Sequence, residues 1–99
     1  MNTRTIPESY IMLRDVPRVP YGTQFDDYDA IAAHVSPMRP VLLIQNDCVL
    51  TVGSSVLQAF DRLEVAEFTA RSLIDTRSIG PLVPIGQHDV DELEQKYFA

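Results

Sequence analysis

The chain has 99 residues, 45% of them hydrophobic and 22% charged, which suffices for one core and excludes the low-hydrophobicity, high-charge composition of a disordered chain. Fourteen Asp and Glu against eight Lys and Arg give a formal charge of −6, the wrong sign for neutralising the phosphates of a nucleic acid or an anionic membrane. No apolar run reaches the roughly 20 residues of a spanning helix, and Met1 to Tyr10 lacks the apolar stretch of a secretory signal, so the chain reads as cytoplasmic. A single cysteine, Cys48, closes no intrachain disulfide.

In chain order, Tyr10 to Leu13 (YIML) is an apolar run of strand formers and predicts a strand. Pro17 and Pro20 bracket Arg18 and Val19, which confines any extension there to an edge or an irregular connection, and Tyr21 to Gln24 reads as a loop. Asp26, Asp27 and Asp29 precede apolar residues at helical spacing (Ile31, Ala32, Val35), so a helix is expected from about Asp26 to Val35, stopped by Pro37.

Val41 to Ile44 (VLLI) is the clearest strand signal, and its unbroken apolar character implies burial on both faces. Cys48 to Val52 is a second strand, antiparallel to the first across the short polar break Gln45-Asn46-Asp47. Gly53 ends it. Ser54 or Ser55 then offers an N-cap, with Gln58 three residues after Ser55 as in a capping box. Val56, Phe60, Leu63, Ala66, Ala70 and Ile74 mark the apolar face of a long amphipathic helix, about Ser55 to Asp75. Glu67 and Arg71 form an i,i+4 pair on its other face, and Gly80-Pro81 closes the segment. Val90, Leu93 and Tyr97 predict a terminal helix. Strands flanked by helices in so short a chain imply an α/β layer arrangement over a thin sheet.

The four glycines are scattered, which excludes the glycine-rich phosphate loops, and no G-x-S-x-G elbow supports a serine triad. His34 falls at a helix end, where an imidazolium complements the dipole; His88 opens the last helix and reads as solvated. Cys48, opening an apolar strand, reads as a buried inert thiol. The turn Gln45-Asn46-Asp47-Cys48 is the remaining polar cluster. Asn and Asp are ordinary turn formers, and a turn between buried strands is also where a functional side chain can be held rigidly.

The order Val19-Pro20-Tyr21-Gly22-Thr23, an acidic helix, Pro40-Val41-Leu42-Leu43-Ile44, Gln45-Asn46-Asp47-Cys48 and Ala59-Phe60-Asp61-Arg62-Leu63-Glu64 resembles the carboxy-terminal half of the class II aldolase and adducin family, fuculose-phosphate aldolase-like proteins in particular. The resemblance runs from about Ile6 to Asp75, and more loosely over the terminal helix. It implies part of a three-layer α/β/α sandwich around a mainly antiparallel sheet, residues 1–99 being a single domain or the carboxy-terminal half of one. It also implies a lyase that cleaves carbon–carbon bonds of a sugar or sugar phosphate with a divalent metal, usually zinc, stabilising an enediolate. Homotetramers with sites between subunits are the implied assembly. The family's tyrosine in the Pro-Tyr segment, proposed as a proton donor, matches Tyr21.

The family's metal-ligating His-Gly turn matches Asp47-Cys48, so Asp47 is implied either as a ligand of altered preference or as the mark of a lost site. The family's His-x-His pair, acid/base glutamate and phosphate loop belong to the amino-terminal half and do not occur in this sequence. Two functions follow: the carboxy-terminal part of a metal-dependent aldolase-like lyase, or a non-catalytic adducin-like interaction module.

Overall fold

The computed structural model describes residues 1–26 and 28–98. The chain runs α1 (Pro7–Leu13), β1 (Arg18–Val19), a 3-10 turn (Thr23–Phe25), α2 (Tyr28–Ala32), β2 (Val41–Ile44), β3 (Cys48–Thr51), α3 (Val56–Thr76) and α4 (Gln87–Tyr97). It is a small mixed α/β fold.

The sheet has three strands in the order β1-β2-β3. β1 runs parallel to β2, with Val19 opposite Ile44, and β3 runs antiparallel to β2, with Ile44 opposite Cys48 and Val41 opposite Thr51. The expectation of a mainly antiparallel sheet is corrected by this mixture, one pairing of each kind. Pro17 and Pro20 donate no ladder hydrogen bond, so β1 stays a two-residue edge. It is anchored by the Leu43 N–H to the Pro17 carbonyl (2.9 Å) and the Gln45 N–H to the Val19 carbonyl (3.1 Å).

Both faces of the sheet are covered, as the unbroken run in β2 requires. Val41 packs with Leu13 of α1 and Ala66 of α3, joined by Met12, Val49 and Val65. On the opposite face Leu42, Ile44 and Val19 pack with Ile31, Val35 and Leu50.

The Tyr10–Leu13 run is helical rather than extended, and this corrects the expected strand. Pro7 stands in the first turn of α1 and Glu8 follows it, a helix start that outweighs the strand preference of four residues. Period three then places Tyr10 and Leu13 on one buried side. The helix expected over Asp26–Val35 is only Tyr28–Ala32, followed by turns in which the His34 N–H reaches the Ile31 carbonyl (3.0 Å). Asp27 lies outside the described residues.

In α3, the Ser55 side chain accepts the Gln58 N–H (3.1 Å), a cap worth about 1 kcal/mol. The Gln58 carboxamide oxygen returns to the Ser54 N–H (2.6 Å), so the reciprocal half of the box lands one residue early. Arg71 and Glu67 pair at 2.7 Å on the exposed face.

The apolar stripe expected to face the core is mostly turned outward. Val56, Phe60, Leu63 and Ile74 are all exposed, Val56 by 88%, whereas Ala66 and Thr69 are buried. The reason is close approach. α3 packs against α1 through small residues, and the buried Thr69 hydroxyl is satisfied twice, by Ser9 Oγ (2.6 Å) and by donating to the Val65 carbonyl (2.7 Å).

α4 joins the fold through α1 and the amino-terminal segment. The Tyr10 hydroxyl donates to Glu94 (2.6 Å), the Tyr10 and Phe98 rings stack at 5.7 Å, and the Arg4 guanidinium bridges Asp15 and Gln87. The Ile85 N–H donates to the Arg4 carbonyl (2.6 Å).

Candidate functional site at the carboxyl end of the parallel strands

Because β1 and β2 are parallel and in register from Arg18↔Leu43 to Val19↔Ile44, the chain leaves both strands at the same end of the sheet. Tyr21 follows β1 by two residues and Asp47 follows β2 by three. The two residues singled out in the sequence, 26 positions apart in the numbering of the chain, thereby follow strands that exit at the same end of the sheet. This is the end at which open α/β sheets bind ligands.

Local geometry at each position follows from its residues. Gly22 takes φ 103°, a left-handed conformation open to glycine, and its N–H donates to the Gln24 side chain (2.9 Å). The Thr23 hydroxyl donates to the Pro20 carbonyl (2.8 Å), closing the 3-10 turn. Tyr21 is 60% exposed and meets Phe25 edge to face at 5.9 Å, which holds the ring while leaving most of the residue open to solvent.

At the other position, β2 and β3 are joined by Gln45, Asn46 and Asp47. Asn46 takes φ 61°, a left-handed value that asparagine tolerates, and the Asp47 N–H donates to the Ile44 carbonyl (3.1 Å). Asp47 is exposed, and its carboxylate makes no hydrogen bond or ion pair among the described residues. Cys48 is also exposed, which corrects the expected buried thiol: it pairs with Ile44 at the mouth of the hairpin, before the strand enters the core.

A resident divalent ion needs several ligands, four for zinc. Among the described residues, the one group of three ligand-type side chains within 4.8 Å of one another is His88, Asp89 and Glu92, on α4 and fully exposed. Asp47 is not in it. The residues around Asp47 in this chain therefore do not by themselves fit a resident metal. In the sequence this group is carried by an i, i+1, i+4 spacing on one helix, a signal that appears only when carboxylates are counted beside histidine and cysteine. His88 Nε2 lies 3.3 Å from Glu92 Oε1, and His88 is solvated as expected.

No described helix is long and apolar enough to cross a membrane. No curated protein and no solved structure matches the chain. A family model does: the Class II Aldolase and Adducin N-terminal domain matches residues 3–74, from ahead of α1 through nearly all of α3. The chain belongs to the class II aldolase and adducin family.

Proposed function

We propose that the chain is the carboxy-terminal part of a class II aldolase-like, divalent-metal-dependent lyase that cleaves carbon–carbon bonds of a sugar or sugar phosphate, working as a homotetramer and incomplete on its own. One observation supports this reading: β1 and β2 run parallel, so the segments that carry Tyr21 and Asp47 leave the sheet at the same end. The covered faces of the sheet support its place in a three-layer sandwich. The exposed apolar stripe of α3 supports assembly with further protein.

A metal, where the family uses one, stabilises the negative charge that develops as the bond breaks. What this chain's residues contribute is narrower. Asp47 offers one carboxylate from a rigid turn, as a single ligand to a site completed by residues outside the chain. The exposed Tyr21 hydroxyl offers a proton to the leaving carbon or oxygen. A non-catalytic, adducin-like module is the second reading, favoured by the Asp47-Cys48 pair in place of His-Gly.

The test is a zinc titration by calorimetry, with and without the amino-terminal half of a family enzyme. Asp47→His is expected to raise zinc affinity at least about tenfold, or about 1.4 kcal/mol, only when that half is present. Unchanged affinity with that half bound would remove the metal role of this turn and leave the interaction module.

A further inference from the structure

At the end of the sheet opposite Asp47, the chain forms a recess of about 600 Å³, within the size range of small-molecule sites. It lies between the segment entering β2 (Val35, Ser36, Pro37) and the segment leaving β3 for α3 (Val52, Gly53, Ser54), and Arg14, Gln58 and Arg62 complete it. We propose that this recess is a binding site for a phosphate-type oxyanion, held between the guanidinium groups of Arg14 and Arg62.

Charge is the first argument. In a chain of formal charge −6, two arginines share one recess, and no Asp or Glu is among the described residues lining it. Neither arginine has an ion-pair partner among the described residues. Arg14 also borders the neighbouring recess at Tyr10 and Phe98, which Asp15 and Glu94 line with it, but it forms an ion pair with neither.

Donor geometry is the second argument. Arg62 spends one nitrogen on the Val52 carbonyl (Nη1, 2.6 Å), which fixes the side chain along the wall of the recess. Its other nitrogens make no hydrogen bond among the described residues. Among the described residues the Arg14 guanidinium makes one hydrogen bond, to the Met38 sulfur (3.1 Å), and lies 3.5 Å from the centre of the Phe98 ring. Such stacking leaves the in-plane N–H groups free for an oxyanion, the planar pairing for which arginine is suited. Burial, and after it the nearby Arg14 charge, lowers the Arg62 pKa from its ordinary value, a repulsion that a bound anion relieves.

The backbone supplies a third. Arg14 sits at φ 57° and ψ −156°, a region almost confined to glycine, at a cost on the order of 1–3 kcal/mol. It is held there by its N–H to the Tyr10 carbonyl and by the Thr3 hydroxyl donating to its own carbonyl (2.6 Å). Gly53 is also required: a Cβ there would stand 2.9 Å from the Ala59 amide nitrogen. The segment is thus pressed against the first turn of α3, whose dipole adds to the positive potential.

The experiment is a titration of the whole chain with inorganic phosphate against chloride at matched ionic strength, followed by amide chemical shifts and calorimetry. Saturable binding is expected with a dissociation constant on the order of 1 mM, with shifts centred on Gly53 and Ser54. Arg14→Gly removes the guanidinium while relieving the backbone strain and is expected to weaken binding at least about tenfold, or about 1.4 kcal/mol. Should that variant fail to fold without the Phe98 stack, Arg14→Lys decides, keeping stem and charge but losing the fork, with an intermediate loss expected. Arg71→Gln, outside the recess, is the control and should bind as the parent does. A response that does not saturate, maps elsewhere, persists undiminished in the Arg14 variants, or falls as far in Arg71→Gln overturns the proposal.

Discussion

Leu13→Ala is expected to destabilise the chain by about 2–5 kcal/mol, a large share of what a domain of this size has to spare. Leu13 is fully buried, and it is the buried residue of α1 that clusters with both Val41 of the sheet and Ala66 of α3. Truncation removes the transfer energy of the side chain and leaves a hole that these neighbours cannot readily close. Ala66 has no longer side chain to extend, and Val41 is fixed in the ladder opposite Thr51. Urea denaturation reads the result as a lower midpoint at unchanged slope. A loss under about 1 kcal/mol would mean that α1 is not part of the core.

Alkaline pH is expected to unfold the chain through Tyr10. This side chain is 2% exposed, and its pKa is pushed up to about 12, first by burial and then by the hydrogen bond it donates to Glu94. The native state therefore holds a proton that the unfolded chain releases near pH 10. The stabilisation is complete below pH 10 and is lost as the pH rises from 10 to about 12, a total of roughly 2–3 kcal/mol. Stability measured by denaturant at a series of pH values should fall across that window, and Tyr10→Phe should flatten the fall attributable to this residue. An equal fall in the variant would assign the alkaline transition to other groups.

The parts of the fold legible in the sequence are those whose signals are local. β2, β3 and α3 announce themselves through an unbroken apolar run, a three-residue polar break and a serine cap, and each stands where expected. The segment before them is misleading because its four strand-forming residues follow Pro7 and Glu8, and the start of a helix is set by its first turn. α3 misled differently. Hydrophobicity picks out Val56, Phe60, Leu63 and Ile74, but the side of the helix that approaches α1 must be small, and Thr69 enters the core because Ser9 meets its hydroxyl.

The candidate site divides the same way. Tyr21 and Asp47 were each visible as residues in loops, but their position at one end of the sheet depends on β1 lying parallel to β2. No pattern reports that for two residues between prolines. The recess of Arg14 and Arg62 was invisible for a stronger reason: 48 positions separate them, and the packing of α1 against α3 brings them to one recess.

The attachment of α4 bears on how the molecule breathes. Its ties run to α1 and to Arg4 rather than to the sheet, and the family match stops at residue 74, before it begins. Such an element opens as a unit of its own. Amide deuterium uptake should therefore be fast and collective across residues 87–97 while β2 stays protected to the global limit. Each opening would momentarily wet Tyr10 and free Arg14 from Phe98, so the terminal helix would act as a frequently lifting cover over α1.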